Sequence, residues 1–235
     1  MCKEGLVTAI IVAAGKGRRM GKAYNKQYIQ LGDKPILAYT LAVFEEAKTI
    51  DRIILVVARD EISYVRDKII KKYNFKKTVK VVGGGKERQD SVYAGLQELG
   101  KECEIVLIHD GARPFVDEKI IEGSIDLARD SGAAIVAVPP KDTIKIANQE
   151  GEVIKSLDRS KLWAVQTPQT FRYPLLKRAY RHARERGLLA TDDSMLVEEL
   201  GHRVKILEGD YENIKITTPE DLILGEGILE KRRNG

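Results

Sequence analysis

Nine consecutive residues of this 235-residue chain, Ala13-Ala14-Gly15-Lys16-Gly17-Arg18-Arg19-Met20-Gly21, place a glycine-rich bend and three cations directly after the apolar run 7–12. A further lysine follows in Asn25-Lys26-Gln27. An apolar run of this kind, closed by glycine, reads as a first buried strand. The bend lets several backbone N–H groups approach a phosphate chain while Lys16, Arg18, Arg19 and Lys26 neutralise its charge. That is the chemistry of a nucleoside triphosphate. Two other glycine loops do not fit. A dinucleotide fingerprint needs Gly or Ala where Met20 stands, and an acid closing the second strand about 20 residues on. The first such acid, Asp60 after the run 53–57, comes much too late. A Walker A loop needs four residues before its Gly-Lys pair and then Ser or Thr. Here three residues separate Gly17 from Gly21, and Ala23 follows Lys22.

Chemically loaded residues recur after other apolar runs. Gly83-Gly84-Gly85-Lys86-Glu87-Arg88-Gln89-Asp90-Ser91 follows the run 79–82. Consecutive glycines let backbone approach a flat base closely, with Ser91 bonding a ring edge. The same residues also read as a turn in which Asp90 or Ser91 caps the next helix. In His109-Asp110-Gly111-Ala112-Arg113-Pro114, Asp110 stands at the crest of a strand. A carboxylate there can hold magnesium through water or accept from a sugar hydroxyl; it can equally be a turn aspartate paired with Arg113. His109, His182 and His202 are scattered, which gives neither a metal-ligand spacing nor a Ser/His/Asp triad. At the end of an apolar strand, His109 reads as a satisfied, partly buried histidine. Taken singly, Arg159 and Lys215 read as surface cations. Thr191-Asp192-Asp193-Ser194 reads as a helix cap whose threonine hydroxyl can also serve a polyol.

Positioning such residues calls for a parallel sheet, since ligands of open α/β sheets bind beyond the carboxyl ends of the strands. Strands are predicted at 7–13, 52–57, 79–82, 105–109 and 133–138, alternating with stretches of helical period, the pattern of crossover connections. In 35–48, Pro35 suits a first helical position and Ile36, Leu37, Thr40, Leu41 and Phe44 form one stripe. A second stripe, Ile62, Val65 and Ile69, runs through 61–73, with Lys68, Lys71 and Lys72 as its solvated side. Residues 141–159 alternate on either side of the turn 148–152 and predict a β-hairpin. A lone hairpin is marginal, so it either projects as an arm against a partner subunit or folds back on its own sheet. Beyond it come a strand at 163–166, helices at 174–185 and 192–200, and short strands around Val204 and Ile214. The closing helix opens with Thr218-Pro219-Glu220-Asp221, a hydroxyl cap followed by proline and acids. Residues 1–235 are expected to form one domain from which 141–160 protrudes.

Composition indicates ordinary globular behaviour. The chain is 43% hydrophobic and 32% charged, and its net charge of +5 comes from 40 basic residues interspersed with 35 acids. An anionic small substrate explains that excess as well as nucleic acid does, and no basic tail indicates nucleic acid. Cys2 and Cys103 offer no disulfide framework and no zinc spacing. With no signal-peptide pattern and no run of membrane-spanning length, a cytoplasmic location is expected.

Read in order, eight blocks resemble the 2-C-methyl-D-erythritol 4-phosphate cytidylyltransferases of the non-mevalonate isoprenoid pathway over nearly the whole chain. They are Ala13 to Met20, Lys26-Gln27-Tyr28, Glu87-Arg88-Gln89-Asp90-Ser91-Val92, His109 to Pro114, Asp142-Thr143-Ile144-Lys145, Asp158-Arg159, Gln166-Thr167-Pro168-Gln169 and Asn213-Ile214-Lys215. The resemblance implies an α/β, Rossmann-like open sheet, mainly parallel, with helices on both faces and a β-hairpin arm for dimerisation. It also implies transfer of a cytidylyl group from CTP to methylerythritol 4-phosphate with release of pyrophosphate. The nucleophile is a phosphate monoester, largely dianionic near neutral pH because its second pKa is about 6, so no general base is needed. The attack needs positioning and charge stabilisation.

By the family pattern Arg19 and Lys26 supply this at the α-phosphate, and backbone of Ala13, Ala14, Gly15 and Gly17 cradles the triphosphate. Gly84, Gly85 and Ser91 fall where the family reads cytosine, and Asp110, Thr191 and Lys215 where it holds the acceptor. In the family, Arg113, Thr143 and Arg159 come from the neighbouring subunit of a homodimer through the arm, and Mg²⁺ or another divalent cation is held mainly by the CTP phosphates, with no direct protein ligand. Two residues depart from the pattern: Asn25 stands where proline is usual before the lysine, and Gly111 where alanine is common. The same nucleotide loop occurs in ribitol-5-phosphate cytidylyltransferases, which differ in acceptor, and a non-catalytic nucleotide sensor would share the fold. The segment Asp158 to Trp163 and Asn213-Ile214-Lys215 favour the methylerythritol branch, and the presence of Arg19 and Lys26 favours an enzyme.

Overall fold

The computed structural model describes residues 5–15 and 25–234, with Lys26 described by its backbone alone. Lys16, Gly17, Arg18 and Arg19 therefore lie outside the described residues. The chain runs through β1 (Leu6–Ala13), a 3₁₀ turn (Lys26–Tyr28), the short strands β2 (Gln30–Leu31) and β3 (Lys34–Pro35), α1 (Ile36–Glu46) and β4 (Arg52–Val57). A 3₁₀ turn (Arg59–Glu61) leads into α2 (Ile62–Val65), which continues as a π-helical turn (Arg66–Lys71). Then come β5 (Thr78–Gly83), α3 (Arg88–Leu96), β6 (Cys103–Asp110), α4 (Glu118–Ser131) and β7 (Ala133–Val138). The hairpin strands β8 (Lys145–Ala147) and β9 (Val153–Ser156) precede β10 (Ala164–Arg172), α5 (Tyr173–Arg186), α6 (Asp193–Glu198), β11 (Lys205–Glu208) and α7 (Pro219–Asn234).

Seven strands form one sheet in the order β5-β4-β1-β6-β10-β7-β11. All neighbours are parallel except β10, which is antiparallel to both β6 and β7. From β1 the chain steps outward through β4 to β5, then returns to the other side of β1 as β6. The strand order therefore reverses between β1 and β6, and a crevice opens beyond their carboxyl ends, where Ala13 and Asp110 stand. Helices cover both faces. Ala9, Ile11 and Ala13 pack with Leu37, Leu41 and Phe44 of α1 and Ile121 and Ile125 of α4. Ile10, facing the other way, packs with Val92 and Leu96 of α3 and Leu176, Ala179 and Tyr180 of α5. Each fully buried Leu, Ile, Val or Phe side chain among them stabilises the fold by about 1.5–3 kcal/mol. Among the described residues no helix is long and apolar enough to cross a membrane.

Four sequence expectations are corrected. The strand predicted at 163–166 extends to Arg172, although proline inside a run argues against a strand. The ladder to β7 is interrupted between Val165 and Gln169, and Pro168 sits at that interruption, where no rung needs its missing N–H. No strand forms around Ile214: Ile216 N–H bonds Ala112 O at 2.9 Å, and side chains rather than a ladder fasten this loop. Pro35 precedes α1 in an extended conformation instead of occupying its first turn. The helix predicted over 61–73 departs from α geometry at Arg66, although Val65 and Ile69 are buried as expected while Lys68, Lys71 and Lys72 face solvent.

The hairpin forms, starting at Lys145 rather than Thr143, with Leu157 N–H to Ile144 O (3.0 Å) adding a rung. It is a separate two-stranded sheet, and every residue of β8 and β9 is exposed, Val153 and Ile154 by 61% and 65%. It does not fold back onto the seven-stranded sheet of its own chain.

Candidate active site

A cavity of about 170 Å³ opens at the crevice, lined by Ala13, Ala14 and Gly15 at and just beyond the end of β1, Gly85 and Ser91 around the start of α3, Asp110 at the end of β6, and Lys215. Seven residues proposed separately from the sequence thus meet in one place. Gln27, Glu87 and Arg88 join them in its wall.

Close approach explains the glycines after β5. A Cβ on Gly84 would stand 2.4 Å from the Cβ of Ala14 and 2.7 Å from Ser91 Oγ, so only glycine lets this loop touch the one after β1. Gly84 N–H anchors it on Val57 O at 2.7 Å. Ser91 Oγ accepts from Gly85 N–H (3.2 Å) and donates to Glu87 O (3.1 Å), which holds the glycine turn against α3. The cap of α3 is Glu87, with Asp90 accepting from Glu87 N–H at 3.2 Å, instead of Asp90 or Ser91 as the sequence suggested.

Asp110 is the electrostatic centre. Lys215 Nζ stands 2.6 Å from its Oδ2, Arg88 Nε 3.3 Å from Oδ1, and Arg113 Nε 3.9 Å from Oδ2. Burial alone would raise its pKa, but Arg88, Lys215 and Arg113 outweigh burial and hold the carboxyl well below the usual range. Arg88 in turn reaches buried Asp193 with Nη1 at 2.7 Å. Burial would lower the Arg88 pKa, but Asp193 and Asp110 hold it above its ordinary value. Tyr180 donates to the other Asp193 oxygen, and Asp193 N–H donates to Gln169 Oε1 at 3.0 Å. Removing one member of such a buried pair costs about 3–5 kcal/mol, so Arg88, itself held by Asp193, fixes Asp110 from within the cavity wall.

Lys215 comes from the strandless loop after β11, and Asn213 holds that loop. Fully buried, Asn213 donates from Nδ2 to Gln166 Oε1 (3.1 Å) and Thr167 O (2.9 Å), while its backbone carbonyl accepts from Arg113 Nη1 (2.6 Å). Arg113 is therefore engaged on its own chain, behind Asp110, and is not part of the arm. The turn reading of Asp110 paired with Arg113 is correct as far as it goes. Thr143 and Arg159 do lie on the exposed arm, where Arg159 Nη1 donates to Lys141 O across its root. Thr191 is exposed just ahead of Asp192, which caps α6 by accepting from Met195 N–H at 3.0 Å.

His109 is more deeply placed than the sequence suggested. It is fully buried against Phe44, ring centroids 4.8 Å apart. Facing the Arg113 carbonyl at 3.1 Å, His109 Nε2 carries the ring hydrogen, which leaves Nδ1 of the neutral ring to accept from the Thr167 hydroxyl (3.0 Å), whose Oγ1 accepts from Asp110 N–H (3.1 Å). This is a neutral imidazole. Burial, the largest influence, lowers its pKa from 6.5 to about 4. The unfolded chain binds this proton below pH 6.5 while the folded chain resists it until about 4, so acidification through that window removes stability. Urea unfolding is expected to show about 2 kcal/mol less stability at about pH 5 than at about pH 7.5 from this group. His109→Gln should flatten that dependence; an unchanged acid loss in the variant would contradict a neutral buried imidazole.

Of the residues the sequence reading passed over, Arg88 and Gln27 stood inside blocks already noted, but periodicity cannot show that one reaches Asp193 and the other donates to Ala13 O.

The family model for 2-C-methyl-D-erythritol 4-phosphate cytidylyltransferase matches residues 7–231. A curated protein of that name from Alkaliphilus metalliredigens is 58% identical over 235 residues, covering 100% of this chain and 98% of its own length. One from Clostridium perfringens is 53% identical over 226 residues, covering 96% of this chain and 100% of its own. The crystal structure of the 4-diphosphocytidyl-2C-methyl-D-erythritol synthase from Anaerococcus prevotii superposes with a TM-score of 0.85 at 34% identity, covering 97% of this chain and 100% of that one.

Proposed function

The chain belongs to the 2-C-methyl-D-erythritol 4-phosphate cytidylyltransferase family, and from that membership we propose how its own residues divide the work. The reaction joins CTP and 2-C-methyl-D-erythritol 4-phosphate into 4-diphosphocytidyl-2-C-methyl-D-erythritol and pyrophosphate. An oxygen of the acceptor phosphate attacks the α-phosphorus of CTP, and the bond to the bridging oxygen of the β-phosphate breaks. The acceptor phosphate is its own nucleophile, so positioning and charge stabilisation carry catalysis.

One observation supports this division above the others: Asp110, Lys215 and Arg88 face the same cavity as Ser91 and the backbone of 13–15. In the proposal Gly84, Gly85 and Ser91 receive cytosine, and backbone N–H groups of Ala13, Ala14, Gly15 and Gly17 receive the triphosphate. Arg19 and Lys26 neutralise charge at the α-phosphate. Asp110 accepts from an acceptor hydroxyl, while Lys215 and Thr191 orient the acceptor. Arg113 holds the Lys215 loop from its own chain. Thr143 and Arg159, on an arm that its own sheet leaves uncovered, complete the site of a partner copy in a homodimer. The exposed Val153 and Ile154 are then covered by that copy.

Among the described residues no group of three or more His, Cys, Asp or Glu is arranged to hold a metal ion. Both oxygens of Asp110 already face cations. This donor set suits a Mg²⁺ ion carried on the CTP phosphates, with Asp110 at most a water-mediated partner. Bound there, Mg²⁺ supplies charge neutralisation on the phosphoryl oxygens. We place the enzyme in the cytoplasm, with the CTP pool.

The assignment is tested at Asp110. A hydrogen bond to a charged group contributes about 1.5–3 kcal/mol, so Asp110→Asn is expected to raise KM for the acceptor by about tenfold or more. KM for CTP should change much less. Equal effects on both substrates would place Asp110 elsewhere in the mechanism.

A further inference from the structure

Beside the catalytic loop stands a carboxylate that this division of work leaves unused. Glu61 opens α2, where an acidic side chain ordinarily bonds the free N–H groups of its own helix. It makes no such cap. Its Oε1 accepts from Asn25 Nδ2 and its Oε2 from the Tyr28 hydroxyl, the latter at 2.8 Å. Those two residues bracket the turn that carries Lys26. We infer that Glu61 is a positioning residue for Lys26, clamping the chain on both sides of it; the inference rests on the reading of Lys26 as a cation at the α-phosphate.

The turn is fixed from three directions. Tyr28 N–H donates to Asn25 O at 3.0 Å, closing the turn on itself. In a 3₁₀ turn residues three apart share a face, so Asn25 and Tyr28 both meet Glu61 from the same side. Tyr64, one helical turn beyond Glu61, adds an edge-to-face contact with Tyr28, ring centroids 5.2 Å apart. Gln27, only 2% exposed, donates from Nε2 to Ala13 O and ties the turn to the end of β1, where the nucleotide loop begins. Burial first, and then Glu61, push the Tyr28 phenol well above its ordinary pKa, so it stays a donor at any working pH.

The clamp also gives Asn25 a function. A proline before the lysine would restrict the backbone through its ring; in this chain an amide bonded to a carboxylate 36 residues away supplies the restraint. Held this way, Lys26 loses less freedom on reaching the transition state, so the gain appears in turnover more than in ground-state binding.

Steady-state kinetics and thermal unfolding of the full-length enzyme test this with Glu61→Ala, Glu61→Gln and Lys26→Ala. Glu61→Ala is expected to lower kcat about tenfold, with both KM values within about twofold. Glu61→Gln should keep most of the turnover, because its amide oxygen accepts from Asn25 and its NH₂ donates to the Tyr28 oxygen. In an Asn25→Ala/Tyr28→Phe background, adding Glu61→Ala should change kcat no further. Normal turnover in Glu61→Ala beside a crippled Lys26→Ala overturns the clamp and leaves the role of Lys26 standing. So does a kcat loss in Glu61→Ala that Gln fails to restore and that follows the loss of Tm. Near-normal turnover in Lys26→Ala overturns the role of Lys26 itself, whatever Glu61 does.

Discussion

Alanine at Arg19 or at Lys26 is expected to cut kcat by about a hundredfold or more while CTP affinity changes by only a few-fold. Attack on the α-phosphate builds negative charge on its non-bridging oxygens and on the departing pyrophosphate. A cation placed there contributes more in the transition state, where that charge develops, than in the ground state. Loss of a single preorganised donor at such a position typically costs about 10²–10³ in kcat. Single-turnover measurement with saturating CTP isolates the chemical step, and near-normal turnover in either variant would remove that residue from the reaction centre.

The second large effect concerns the arm. Its two strands are exposed throughout and form a sheet of their own. A lone two-stranded ribbon is marginal in water. If it embraces a second copy, Arg159→Ala protein should be nearly inactive, yet mixing it with equally inactive Arg19→Ala protein should restore part of the activity. After subunit exchange, some heterodimers hold one site with Arg19 of one chain and Arg159 of the other both intact. Up to about a quarter of wild-type activity is the ceiling: random exchange makes half the dimers mixed, and each mixed dimer has one whole site. Demonstrated exchange with no recovery would mean that Arg159 serves its own chain or no site at all.

The parts legible in the sequence were those governed by local pattern. Apolar runs ending in glycine or aspartate placed β1, β6 and the crevice beyond them. At α7 the hydroxyl-proline-acid start is realised as a reciprocal cap, Asp221 N–H on Thr218 Oγ1 at 3.3 Å and Thr218 N–H on Asp221 Oδ2 at 2.9 Å. Illegible parts depend on partners far away in the chain. Arg88 and Asp193 are 105 residues apart, and Asn213 holds the Lys215 loop through Gln166 and Thr167, 47 and 46 residues distant. Nothing in helical or strand period distinguishes such residues from solvated polar ones. In β10 the proline argued against a strand because its harmless place, at the break in the β7 ladder, is a property of the sheet. The same holds for Asn25, whose side-chain partner Glu61 lies 36 residues away.

The acceptor is the point on which function turns, and one assay addresses it directly. Purified enzyme is given CTP and Mg²⁺ with methylerythritol 4-phosphate or with ribitol 5-phosphate, and pyrophosphate is followed continuously. Rapid release with methylerythritol 4-phosphate and little with the ribitol ester is the expected result, matched by one cytidylylated product per pyrophosphate. Release with ribitol 5-phosphate alone, or with neither acceptor, would contradict it.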